Sequence, residues 1–200
     1  IAKTKNWNHL IIISDKTYSK KIIDKNTHNE NTSIALFEIA KIKTGSDQSD
    51  ALKYVLKALN FKKNFPPYVK LYLNLLSNVG NISLLKKMMK KFWFSNPNEI
   101  LRSIIIDLSI KHKIDNLDFI NQVVKNNYNN IESKKLLIYF SIKNKNWEIA
   151  RNQINGLIGQ NPEREICVFM SQIELGENND KQKSDLWLMR AQNADADLAW

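Results

Sequence analysis

Three histidines, one cysteine and twenty carboxylates are the side chains through which this chain could hold a metal, attack a carbonyl or move a proton. Their spacing argues against each. His9, His28 and His112 are scattered, and no H-x-x-x-H or H-E-x-x-H run sets two ligands on one helix face. Cys167 stands alone, so neither a disulfide framework nor a cysteine-built metal site can form; it reads as a small apolar filler on a buried helix face. No G-x-G-x-x-G or G-x-x-x-x-G-K-[ST] segment offers a phosphate a glycine cradle, and no G-x-S-x-G elbow presents a nucleophilic serine. The acidic pair Asp195/Asp197 lies in a polar tail, where solvation explains it. The expectation is a chain without enzymatic activity, metal or cofactor.

The remaining chemistry is cationic. Net charge is +10 and the pI about 9.5, which invites an acidic partner. The excess is mostly lysine, with Arg102, Arg151, Arg164 and Arg190 as the guanidinium groups. Nucleic-acid readers favour the bidentate fork of arginine, so no specific nucleic-acid partner is expected. An acidic protein segment suits the charge better, with anionic lipid or RNA as further readings. Heavy use of Lys, Asn and Ile also suits an A+T-rich genome. The densest apolar runs, Leu10–Ile13 and Ile104–Ile106, fall far short of the roughly 18 residues of a membrane span. The chain begins at Ile1, in mid-pattern and without a leader, as a piece of a longer protein would.

The elements that would position these groups are helices. Hydrophobic residues make up 43% of the chain, while Gly and Pro number five and four, too few for a loop-rich or β-rich fold. Trp147, Ala150, Ile154, Leu157 and Pro162 follow the spacing of the second helix of a tetratricopeptide repeat. The template returns as Lys181, Ser184, Leu188, Ala191, Ala196 and, upstream, as Ile82, Leu85, Met89, Phe92, Pro97. A period near 34 residues marks a helical-hairpin solenoid. The predicted fold is all-α, a right-handed α-α superhelix of tetratricopeptide-like hairpins forming one domain over 1–200. Its units would cover 1–31 (partial), 32–65, 66–97, 98–130, 131–164 and 165–200. Helices are expected over Trp7–Tyr18, Ile34–Ile42, from Ala51 to Leu59, Pro66–Leu76, Ile82–Phe94, Ile100–Ile110, from Leu117 to near Tyr128, Glu132–Lys143, Trp147–Ile158, Glu163–Leu175 and Asp180–Asn193. The polar stretch Asp24–Thr32 leads into the second unit, and the hairpin ending near Tyr128 is shortened.

In such a stack the first helices line a groove, at roughly the second, fifth, ninth, twelfth and thirteenth positions of each unit. Those positions give Lys43, Lys70, Asn74, Asn78, Lys111, His112, Lys135, Tyr139 and Lys143 as candidate partner-binding residues. Ammonium and amide donors along one face would suit an extended acidic segment or a chain carboxylate. Lys70 and Asn74 reproduce half of the two-carboxylate clamp of chaperone-binding repeats; Ile105, Glu132 and Leu136 stand where its other half should be. Trp93, Trp147 and Trp187 could suggest a porphyrin pocket, but their places on second helices assign them to packing between helices.

The last third carries more specific text. Trp147-Glu148-Ile149-Ala150-Arg151, Pro162-Glu163-Arg164-Glu165-Ile166-Cys167, Met170-Ser171-Gln172-Ile173-Glu174, Gly176-Glu177-Asn178-Asn179-Asp180, Leu186-Trp187-Leu188-Met189-Arg190-Ala191 and the closing 194–200 resemble the HemY-type repeat proteins of proteobacteria. Lys91-Phe92-Trp93-Phe94-Ser95-Asn96-Pro97 and Ile131-Glu132-Ser133 do so upstream. The resemblance implies an inner-membrane protein of a Gram-negative bacterium, tethered by N-terminal helices outside this sequence, with these repeats as its soluble part and the cytoplasmic side favoured. It further implies association with a late stage of haem biosynthesis, as a scaffold for a pathway enzyme or assembly factor, with a porphyrin or haem carrier as the alternative. It supplies no catalytic or haem-ligand residue, and nothing here resembles the flavin-dependent oxidase that shares the name. From the repeat register, Lys70→Glu with Lys135→Glu is expected to leave folding intact and weaken an acidic partner, as read by thermal melting beside a binding titration.

Overall fold

The computed structural model describes residues 6–194, and all of them belong to an all-α chain. Eleven α-helices follow in order: α1 (Trp7–Ser19), α2 (Lys25–Lys43), α3 (Gln48–Phe61), α4 (Pro66–Asn78), α5 (Ile82–Ser95), α6 (Glu99–Lys111), α7 (Leu117–Val124), α8 (Ile131–Lys143), α9 (Trp147–Asn155), α10 (Arg164–Asn178) and α11 (Lys181–Asn193). A 3₁₀ turn, Lys125–Asn127, extends α7, which gives the shortened hairpin that the spacing predicts. Most helices pack mainly on their neighbours in sequence, as helical-hairpin repeats do, and α6 packs on α8. The chain divides into two compact units, 1–96 and 97–200.

Local chemistry explains why the helices begin where they do. Nine of the eleven carry an Asn or Asp N-cap whose side chain accepts a backbone N–H, among them Asn6, Asp24, Asn81, Asn98 and Asn146. The asparagine richness of the sequence is thus put to structural use. α4 lacks such a cap and opens instead on Pro66-Pro67, whose missing N–H is no loss in a first turn.

The turns from first to second helix repeat as well. Gly80, Lys113, Lys145 and Asn179 all adopt positive φ, between 52° and 73°, at successive spacings of 33, 32 and 34 residues. The N–H groups of Asn81, Ile114 and Asn146 then donate to Leu76, Ser109 and Ser141 carbonyls at 3.2, 2.9 and 2.8 Å, closing each first helix with a Schellman bond. Only one of the four residues is glycine, so the repeat of this turn is hidden from a composition-based reading.

Two expectations need correction. The polar stretch from Lys25 is helix, not a lead-in: Asp24 caps it, and His28 anchors it, stacking on Tyr18 with ring centroids 4.6 Å apart and lying 3.1 Å from Ser14 Oγ. α9 ends at Asn155 rather than Ile158, because Gly156 closes it; Leu157 and Ile158 still pack on the core beyond the helix.

In the first unit, fully buried Ala35, Ala40, Ala51 and Ala58 let α2 and α3 approach closely. Tyr68 of α4 reaches back to α2, packing on Phe37 with centroids 4.6 Å apart and donating to Ser33 Oγ at 3.3 Å. In the second unit Ile138, Ala150, Ile154, Ile166, Phe169, Met170 and Ile173 from α8, α9 and α10 form one core, with Trp187 of α11 at its edge. The small repeat position is buried in Ala150 and Ser184, whereas Leu188 of the same template is exposed; Ala196 lies outside the described residues.

Trp147 explains a glycine. A Cβ on Gly176 of α10 would sit 2.9 Å from Cζ2 of the Trp147 ring and closer still to Cη2. Gly176→Ala therefore sets a clash of about 1–3 kcal/mol against a helix-propensity gain of about 1 kcal/mol. A net loss of up to about 2 kcal/mol is expected in urea denaturation. Ala150→Trp, at a site with no accessible surface, should cost about 3 kcal/mol or more; an unmoved melting temperature would place the repeat in the wrong phase.

Candidate functional site

The nine sequence-predicted groove residues fall into both units and are treated by the fold in different ways. In the first unit Lys70, Asn74 and Asn78 lie at i, i+4 and i+8 of α4, on one face, with Lys70 exposed and Asn74 half-buried. Lys43, at the end of α2, lies 3.9 Å from Asp50. In the second unit Lys111 ends α6 and His112 is its C-cap residue, while Lys135, Tyr139 and Lys143 share one face of α8 at the same four-residue spacing. Tyr139 is half-buried, edge-on to Phe140 at 5.2 Å. Lys143 pairs with Asp115 at 2.9 Å, and that bond holds the Asp115 carboxyl below its ordinary range.

Lys135 is the correction. It is only 6% exposed and cannot serve as a free groove cation. Instead it joins Arg102, also buried, in an ion cluster spanning the N-terminal parts of α6, α8 and α10. Arg102 Nε donates to Glu132 Oε2 at 2.7 Å, its Nη2 to Glu165 Oε2 at 2.9 Å, and its Nη1 to Glu165 Oε1. Lys135 Nζ donates to Glu163 and lies 3.3 Å from Glu165 and 3.9 Å from Glu132. Burial by itself would pull both cations down. The hydrogen bonds and charges of Glu165 and Glu132 on Arg102, and of Glu163, Glu165 and Glu132 on Lys135, outweigh it and hold both above their ordinary values.

A second group sits between α9 and α10. Arg151 donates to Glu174 Oε1 at 3.1 Å and to Glu177, and Asn178 donates to the other Glu174 oxygen at 3.1 Å. The Arg151 bond holds the buried Glu174 carboxyl below its ordinary range despite the opposing effect of burial. Asn179 closes α10 in the left-handed region. On the far side Ser171 and Ser184 share a hydrogen bond of 2.9 Å, and Arg164 donates to the Ala191 carbonyl at 3.2 Å. Trp147, Arg151, Glu174, Gly176, Glu177 and Asn178 of the distinctive C-terminal text are therefore parts of one joint between α9 and α10.

No protein-family model and no curated protein matches this chain.

Arg102, Glu163 and Glu165 were missed as a group by sequence reasoning, and Glu132 was weighed only as a failed clamp position. A signal was present. Arg102, Glu132 and Glu165 stand 30 and 33 residues apart, one repeat step each, which sets them side by side on successive first helices. What the arrangement does chemically is lock: three carboxylates and two cations satisfy one another, so no group is left poised for proton transfer.

Lys135→Glu must then fail as a silent substitution, because it adds a carboxylate to three. Arg102→Met, which leaves Lys135 as the one cation among Glu132, Glu163 and Glu165, should cost about 3 kcal/mol in chemical denaturation, and adding Glu165→Gln should recover part of it. A loss no greater than that of a surface change would deny the cluster its role. Acid titration gives an independent check. Glu174 is depressed in the folded state, so its contribution is present above the unfolded carboxyl pKa of about 4.3 and is lost as pH falls through the folded value. Glu174→Gln should flatten stability against pH in that acid window. The raised Arg102 and Lys135 predict no loss at neutral or mildly alkaline pH.

Proposed function

We propose that this chain is a non-catalytic scaffold that holds another protein on the faces of its stacked helical hairpins. The observation that carries the reading is the ion cluster of Arg102, Lys135, Glu132, Glu163 and Glu165, which ties three first helices into one fixed surface. A preformed surface binds with little ordering cost, which is the advantage repeat proteins bring to recognition. Its polar chemistry is spent on holding that surface.

The partner class comes from the HemY-type text, which points to a haem-pathway enzyme or assembly factor at the inner membrane. The carrier alternative draws less support, since Trp147 of α9 packs against Gly176 of α10 and Trp187 packs at the edge of the second unit's core, with the Arg190 guanidinium of its own helix 5.1 Å from its ring.

Affinity capture with the tagged chain, from detergent extracts of its source membranes and with a cross-linker, should enrich one or more proteins of porphyrin metabolism over an unrelated helical-repeat control. Repeated absence of any such protein would remove the haem-pathway scaffold. Haem titration followed at the Soret band should show no saturation; saturable micromolar binding abolished by His112→Ala or Tyr139→Phe would replace the scaffold with the carrier.

A further inference from the structure

The positive charge of this protein belongs to one of its two units. Residues 1–96 hold 17 lysines, no arginine and six carboxylates, whereas residues 97–200 hold 13 basic and 14 acidic side chains. Within the first unit the excess is concentrated again. From Ala51 to Asn98 there are nine lysines and not one Asp or Glu. A bias of codon usage would spread lysine along the chain; it would not empty 48 consecutive residues of carboxylates.

α5 is the centre of this stretch. It carries Lys86, Lys87, Lys90 and Lys91 and no acidic residue. One helix face runs Lys87, Lys90, Phe94, at i, i+3 and i+7, with Lys86 and Lys91 on its flanks. Lys87 and Lys91 are exposed, Lys86 and Lys90 half-buried, and the Phe94 ring is 60% exposed at the end of the row. The opposite face fixes the helix: Leu85, Met88, Met89, Phe92 and Trp93 are buried. The lysine face is therefore held outward by the core behind it. Like charges at Lys87/Lys91 repel along the helix, and the C-terminal end of the dipole offsets this only in part. An anionic surface would relieve the rest.

We infer that the lysine face of α5 docks on an anionic phospholipid surface, its ammonium groups meeting lipid phosphates and Phe94 entering the headgroup layer. The shape of the site selects this occupant. A single convex helix face provides no groove for an acidic peptide. RNA recognition would call for arginine forks or several exposed stacking rings, and the unit has no arginine and one such ring on this face. Mobile lipid phosphates, by contrast, arrange themselves around point charges, and an aromatic at the row's end suits the interface between water and acyl chains. This docking is independent of the scaffold reading, since lipid binding and partner capture are separate measurements.

Co-sedimentation of the intact chain with mixed phosphatidylglycerol–phosphatidylcholine vesicles, against pure phosphatidylcholine, provides the test. Binding to the mixed vesicles alone is expected, falling with added salt. Near an anionic surface each lysine contributes about fivefold, so Lys87→Gln with Lys91→Gln should weaken binding by about 25-fold. Phe94→Ser should weaken it further in a way that salt does not reproduce. Lys125→Gln with Lys181→Gln, both exposed in the other unit, should leave binding unchanged, and circular dichroism should find every variant folded. No preference for the anionic vesicles would overturn the proposal. So would equal losses from the two lysine pairs, which would reduce the effect to net charge. Displacement by poly(U) together with indifference to Phe94→Ser would reassign the face to nucleic acid and equally end it.

Discussion

A hairpin of two short helices cannot shield its own apolar faces, and everything else in this protein follows from that deficit. Each helix leaves one stripe against its partner and another against the next hairpin, so burial is completed by neighbours in sequence. The small residues sit where this is tightest. Ala35, Ala40, Ala51 and Ala58 have no accessible surface where α2 meets α3, and Gly176 leaves the room that the Trp147 ring fills. Both units solve the same problem with different side chains.

Close stacking has an electrostatic consequence. When first helices lie side by side, polar groups at equal height in successive repeats are brought within bonding distance and taken out of water together. Arg102, Glu132, Lys135 and Glu165 illustrate the outcome: each would be costly to bury alone, and together they are mutually satisfied. The second unit uses its charges in this way and is nearly neutral. The first unit has few carboxylates with which to do the same, so most of its lysines remain on the surface. One fold thus supports two electrostatic characters, a cross-linked body and a cationic one.

The helices, their hairpin order and most of their ends were legible in the sequence because they rest on local rules. Apolar spacing at three and four positions named the helices. Where reading failed, the cause was equally physical. The polar start of α2 looked like a linker because its helix is sustained by His28 contacts with α1 and α3, which no local pattern contains. The repeating left-handed turn was hidden because Lys113, Lys145 and Asn179 fill a conformation usually signed by glycine.

The candidate site shows the division most sharply. Lys70 and Lys135 occupy the same place in their repeats, and the pattern alone treats them as equals. The fold exposes the first and buries the second, which meets Glu132 on its own helix and Glu163 and Glu165 at the start of the next first helix. Sequence determined which residues form helices and where each helix would bury its apolar stripe, because those depend on neighbours three and four positions away. Which charges would be spent inside and which would face a partner was decided by tertiary structure, because a side chain's electrostatic partners lie a full repeat away and are set only when the hairpins stack.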